Sequence, residues 1–418
     1  MTKLRRAVSR TLIGGALLMG ASACSDKFLA VTNPNVIDAS TVDPAATANS
    51  LAASAQQNLA TAYGWLIMYS SWFTGENNVS DTFPTRNEFG FRNISDLNGS
   101  LNADLWEPLS RSAASSKIVL DLALPNPTTN INLTRGAMVR GFSTLLMAND
   151  FCTGTLSSGP ELSTVQLLDT AIFWFGKSID VGRANATADG IALANASLVG
   201  RARAKLQKGD KAGALADANA VPAGFNYNLT YTDDLNNRTR LSNRLWQFTF
   251  DRGSMSVAAA YQVDDPRVKW LPPSQHTLVP QDVVPGGFYI QQKYPAYASP
   301  IRLASKIEAD YIAAEASGDV TKQLALIAER RAANQQPVYT GAVDAASVLT
   351  ELYDQRAREF YLEGKRLADF RRNPAATRFV PVTGTPYFKP GYGNVGSQTC
   401  YPIPRTERDN NPNLKTTP

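Results

Sequence analysis

The stretch "RAREFYLEGKRLADFRR", Arg356 to Arg372, carries six basic and three acidic residues, with Phe360, Tyr361 and Phe370 among them. Charge and aromatics at this density fit a catalytic cluster, a nucleic-acid surface or a scaffold joint. The preceding "DAASVLTELYD" runs into it with helical spacing. Ser347 is the expected cap, and Leu349, Leu352, Tyr353, Phe360 and Leu367 form the apolar face. Glu359 lies three residues after Arg356, Arg366 three after Glu363, Asp369 three after Arg366, and Arg372 three after Asp369. Those offsets put opposite charges on one helical face. Gly364 interrupts the run and is expected to separate two helices. A catalytic use would pair Glu359 with Glu363, since glycoside hydrolysis needs two carboxylates roughly 5–10 Å apart across a cleft. Here both would lie on one side of any substrate, with arginines at hand to neutralise them. Ion pairs that fix two helices to each other are the better reading.

The rest of the composition excludes several classes. The chain has 418 residues, enough for one large domain or two ordinary ones. Its net charge of +5 comes mostly from Met1–Ala23, which holds Lys3, Arg5, Arg6, Arg10 and no acid. The remainder sets 37 basic residues against 36 acidic ones, which leaves no electrostatic footprint for nucleic acid. The first segment reads as an export signal: a basic start, then a short apolar run from Leu12 to Gly20, too short to span a bilayer. It ends "GASAC", similar to a lipobox that would place a lipid on Cys24; ordinary cleavage after Ala23 is the alternative. Cys152 and Cys400 remain, and export permits a disulfide between them or two buried thiols. The one histidine, His276, lies in the turn-rich "PPSQHTLVP" and reads as a surface residue. His-based metal sites and His-paired nucleophiles are therefore not expected, and no cofactor is implied.

Outward from the opening stretch, helical runs dominate. They cover Leu51 to Leu66, 105–124, 135–152, 164–180, 198–221 and 307–333. Two of them turn on Gly209-Asp210 and Gly318-Asp319, where glycine suits a left-handed helix end and aspartate the next cap. Helix, Gly-Asp turn, helix is the grammar of tetratricopeptide pairs. Residues 224–300 and 373–418 are rich in turn formers and read as loops and short strands. The expected organisation is a signal at 1–23, a tether at 24–44 and one domain at 45–418. The helical frame occupies 45–223 and 301–372, interrupted by the irregular insertion. The fold class is mainly α.

The opening stretch resembles the C-terminal signature of the SusD/RagB family of outer-membrane nutrient-uptake lipoproteins, E-R-x-x-E-x-x-x-E-G-x-R-x-x-D-x-x-R. Arg356, Glu359, Glu363, Gly364, Arg366, Asp369, Phe370 and Arg372 fit it, while Gln355 stands where an acid is common. Four further segments are similar in the same order: "CSDKFLAVTNPN", "MVRGFSTLLMANDFCTGTL" with Cys152 in place of a glycine, "ASPIRLASKIEADYIAAEASGD" and "CYPIPRTERDNNPNL". The resemblance implies a tetratricopeptide-like scaffold and a lipid anchor. It implies a lid on a TonB-dependent (SusC-like) transporter that captures oligosaccharides, or peptides in some members, and no enzyme. It transfers no ligand residues. Loops with aromatics beside amides are the candidates: Trp72, Phe73, Asn77 and Asn78 in 69–89, and Trp270, Tyr289 and Tyr294 in 261–297.

Overall fold

The computed structural model describes residues 43–414. The export signal, Cys24 and residues 24–42 of the expected tether lie outside them. From Ala48 onward the chain forms one compact unit, and it is mainly helical.

Helix α1 (Pro44–Phe73) is followed by α2 (Glu107–Leu120), α3 (Ile131–Asp150), α4 (Thr164–Asn185), α5 (Ala188–Lys208) and α6 (Lys211–Asn219). After the insertion come α7 (Lys306–Ser317), α8 (Val320–Ala333), α9 (Ala345–Glu359) and α10 (Arg366–Arg372). Helices α3, α4 and α5 pack side by side, and α7 joins α5 and α6. Small residues permit this closeness. The Phe175 ring of α4 is wedged between Gly141 of α3 and Gly200 of α5. A Cβ at either glycine would lie 2.6 Å or 2.4 Å from that ring, so only glycine fits. Buried hydroxyl pairs, Ser112 with Ser143 at 2.7 Å between α2 and α3 and Ser178 with Ser197 at 2.8 Å between α4 and α5, satisfy polar groups at the helix contacts.

Both Gly-Asp turns form as expected. Gly209 and Gly318 end α5 and α7 at φ of 92° and 62°, and the side chains of Asp210 and Asp319 accept backbone N–H bonds from the following helices. The cap of α9 is Asp344 rather than Ser347, because the Asp344 carboxylate reaches the Ala346 and Ser347 amides.

The insertion holds short strands that pair antiparallel with each other or with strands of the frame. Strands β1 (Asn77–Val79) and β3 (Met255–Val257) pair, as do β4 (Trp270–Leu271) and β5 (Ile290–Gln291). Strand β2 (Asn226–Leu229) pairs with β6 (Ile301–Ser305), with a register shift between Tyr227 and Asn228. The C-terminal segment returns to the end of α3, where Phe151 and Tyr401 form a parallel bridge and Cys152 and Cys400 are joined by a disulfide. Tyr401 is fully buried there, edge-on to Phe73, Phe89 and Phe151.

Candidate functional site

The opening stretch is a buried joint. Helix α9 ends at Glu359, Gly364 takes φ of 65°, and α10 starts at Arg366. A Cβ at Gly364 would lie 3.0 Å from Ile67 of α1, so the turn is pressed onto that helix. One pairing expected along the helix occurs, Asp369 with Arg372 at 2.9 Å. The other charges reach across the fold. Glu363 accepts from Lys293 at 2.7 Å and Arg302 at 2.9 Å, which ties the insertion to the frame. Glu359 pairs with Arg330 at 2.9 Å, and Arg356 bridges Glu315 and Asp369 at 3.2 and 2.9 Å. The Arg366 guanidinium donates to the carbonyls of Thr74 and Arg378 instead of a carboxylate. The local pairing of Arg356 with Glu359 and of Glu363 with Arg366 is thus corrected. The turn at 360–364 parts Glu363 from Arg366, and within α9 Arg356 and Glu359 each find buried partners on other elements instead of each other.

Electrostatics agree with a structural role. Burial alone would raise the Glu363 carboxyl, but Lys293 and Arg302 outweigh it and hold it below the usual range. Glu308 and Glu315 behave the same way, burial being overcome by Arg203 and Lys365 for one and by Arg372 and Arg356 for the other. A general acid would need the opposite shift. Neither Glu359 nor Glu363 lines any of the clefts described below.

The candidate aromatics divide. Helix α1 runs through Phe73 because Leu66, Tyr69, Trp72 and Phe73 continue its apolar spacing. Trp72 and Phe73 are therefore core residues, 1% and 0% exposed, not a loop platform. Asn77 is buried in β1, where it accepts from the Tyr361 hydroxyl at 3.3 Å. Trp72, Asn77 and the half-buried Asn78 still share a small cavity of about 170 Å³, walled by Tyr387 and Phe388 of the C-terminal segment. Tyr294 is also corrected: it is buried, and its hydroxyl donates to the Leu362 carbonyl at 3.0 Å. Trp270 and Tyr289 are half-buried, edge-on at 5.6 Å. Trp270 flanks an open cleft of about 530 Å³ with Asp264, Lys269 and Gln292, although its indole N–H is spent on the Val263 carbonyl at 3.0 Å. His276 is half-buried too, bonding the Phe288 carbonyl at 2.8 Å.

A more open aromatic surface lies elsewhere in the insertion. Trp246 ends a short helical turn capped by Asn243, and a π-turn from Gln247 to Asp251 follows. Trp246 and Phe250 stack at 5.4 Å with ring planes 22° apart, and Tyr297 packs against Trp246. All three rings are half-exposed. The Tyr297 hydroxyl donates to Asp251, and the Arg238 guanidinium sits 5.0 Å from the Tyr297 ring. Arg86 is buried beneath, paired with Asp81. It lies 4.6 Å from the ring of Phe83, which is 53% exposed, and 5.0 Å from Phe248 on the π-turn. This group is not among the sequence candidates, because "RLWQFTF" falls in 224–300, which reads as loops and short strands. The available signal was the four-residue spacing of Trp246 and Phe250, a helical offset rather than an alternation. Near-parallel rings with water on one side offer apolar faces to the C–H surface of a sugar, and the flanking Arg and Asp can bond hydroxyls. Among the described residues there is no cluster fit to hold a metal ion and no helix long and apolar enough to cross a membrane.

No family model and no curated protein matches the sequence. Solved structures do. A SusD-like carbohydrate binding protein from Bacteroides vulgatus aligns with a TM-score of 0.67 at 15% identity, covering 88% of this chain and 97% of the other. A SusD/RagB family protein from Bacteroides thetaiotaomicron gives 0.66 at 13% identity, covering 88% and 95%. A laminarin binding SusD-like protein gives 0.63 at 14% identity, covering 87% and 96%. The class is thus a helical scaffold with a loop-built insertion. The chain carries the SusD/RagB fold, the one expected from its five sequence segments.

Proposed function

We propose that this protein is a cell-surface nutrient-binding lipoprotein that captures an oligosaccharide on the Trp246, Phe250 and Tyr297 surface and does not cleave it. The observation that carries this reading is the half-exposed, near-parallel ring pair set in an irregular insertion on a rigid frame. Solved neighbours described as carbohydrate-binding support it. In the same reading, Cys24 carries the lipid that holds the protein to the outer membrane, and a TonB-dependent (SusC-like) transporter receives the ligand. Capture of a peptide on the same scaffold is the second reading; half-exposed aromatic rings would suit an apolar side chain as well as a sugar. Native gels cast with a panel of polysaccharides separate the two. Retardation by at least one polysaccharide, with no reducing ends released and no retardation of Trp246→Ala, is expected. Retardation by none of the panel, with binding to a peptide library, would favour the second reading. For the anchor, Cys24→Ala should move the protein from the membrane fraction to the soluble one.

A further inference from the structure

The aromatic surface is built from two arms that lie far apart in sequence. One is the helical turn that carries Trp246 and runs into the π-turn of Phe250. The other is the loop that carries Tyr297. That loop closes on itself: the Ala296 amide donates to the Ser299 hydroxyl at 2.9 Å, and the Ser299 amide donates to the Ala296 carbonyl at 3.0 Å. Trp246 and Tyr297 meet across the gap with ring centroids 3.8 Å apart. The hydroxyl of Tyr297 is held only by Asp251, an exposed contact that water can compete for. The firmer hold is underneath. Asn243 is fully buried and bonds both arms. Its side-chain oxygen accepts from the Leu245 and Trp246 amides at 2.9 and 3.1 Å, which caps the Trp246 turn. Its side-chain N–H donates to the Ser299 carbonyl at 2.8 Å, and its backbone N–H donates to the Tyr297 carbonyl at 2.8 Å. One carboxamide is thus cap to the first arm and staple to the second. A loop that must be ordered when ligand binds costs affinity, so fixing it beforehand favours binding.

We infer that Asn243 is the positioning residue of this surface: it holds the Trp246 turn and the Tyr297 loop in register before ligand arrives and touches no sugar itself. This rests on the aromatic surface being the binding site. Asn243→Ser and Asn243→Asp keep an oxygen that can cap the turn and remove the donor to Ser299. The serine variant is uncharged, so it carries the test where a buried aspartate prevents folding. In ligand-free protein, hydrogen exchange should quicken at the Ala296 and Ser299 amides while the Leu245 and Trp246 amides stay protected. Calorimetry with dextran, soluble starch, arabinoxylan and pectin reads the consequence. Probes that bind wild type should bind each folded variant about tenfold more weakly, the scale of one lost hydrogen bond. A double-mutant cycle separates positioning from a general weakening of the fold. In a Tyr297→Ala background no ring is left to place, so Asn243→Ser should change affinity by less than about twofold. Asn130→Asp makes the same exchange at the cap of α3, away from the surface, and should leave affinity unchanged. Unchanged exchange at Ala296 and Ser299, wild-type affinity in the variants, or a tenfold loss that persists in the Tyr297→Ala background would each overturn the inference. The aromatic site would still stand if Trp246→Ala abolished binding. If none of the probes binds wild type, the site falls and the inference with it.

Discussion

Replacing Glu363 with Gln separates a scaffold from a catalyst. Glu363 is 2% exposed, and its two oxygens meet Lys293 at 2.7 Å and Arg302 at 2.9 and 3.0 Å. Gln keeps the shape and removes the charge. Stripping one partner from a buried ion pair costs about 3–5 kcal/mol, because the remaining charge stays desolvated. Lys293 keeps the Tyr361 carbonyl at 2.7 Å, Arg302 keeps the Glu359 carbonyl at 2.9 Å, and the two side chains are 19% and 20% exposed. The loss should therefore fall at the low end, about 3 kcal/mol, within the roughly 5–15 kcal/mol that a domain can spare. The pH dependence has a definite sign. The folded carboxyl is depressed, so its contribution is complete above the unfolded value near 4.3 and fades as pH falls through the lower folded value. Urea unfolding followed by tryptophan fluorescence should show a wild-type advantage at pH 7 that shrinks below about pH 4. Glycan affinity at pH 7 should be unchanged. A difference under about 1 kcal/mol at pH 7, or one that grows on acidification, would refute the ion-pair account. Loss of a glycan-cleaving activity at unchanged stability would make Glu363 a catalytic group instead.

Three other outcomes follow from packing and burial. Gly200→Ala drives a Cβ to 2.4 Å from the Phe175 ring and should cost about 1–3 kcal/mol in thermal unfolding; a Gly200→Ala, Phe175→Leu double variant should recover part of the loss, and additive losses would contradict the wedge. The disulfide between Cys152 and Cys400 spans 248 residues, for which chain entropy gives a ceiling of about 5.5 kcal/mol; Cys400→Ser should lower the unfolding temperature, and two free thiols in non-reducing mass spectrometry would rule the bond out. Burial raises the Glu76 carboxyl to about 7 against the pull of Arg366; one of its oxygens accepts the Leu362 amide at 3.0 Å and the other has no partner among the described residues. A raised acid weakens the fold as pH climbs from its unfolded value through 7, so Glu76→Gln should gain on wild type between pH 5 and pH 8, and a flat difference would contradict this.

Much of the frame was legible because its signals are local. The Gly-Asp turns need only a left-handed glycine and a capping carboxylate, and the helical runs need only periodic apolar residues. The joint at 356–372 was legible as charged and structural, but its partners were not. Lys293, Arg302, Glu315 and Arg330 lie tens of residues away, and no helical offset reveals them. The aromatic candidates failed for a related reason. Trp72 sits beside polar residues in sequence, yet a helix that runs about two turns further than expected carries it into the core. Trp246 lies in a stretch that reads as loops and short strands, yet a helical turn running into a π-turn leaves its face half-open to solvent. Exposure of a ring is decided by where its element ends, and element ends are where sequence signals are weakest.

The most direct measurement is calorimetric titration of the tightest-binding polysaccharide from the gel panel into the wild-type protein, Trp246→Ala and Trp270→Ala. Saturable binding is predicted for wild type and Trp270→Ala, with loss of heat for Trp246→Ala at an unchanged unfolding temperature. Retained binding by Trp246→Ala, or loss in Trp270→Ala alone, would move the site to the Trp270 cleft and contradict the account.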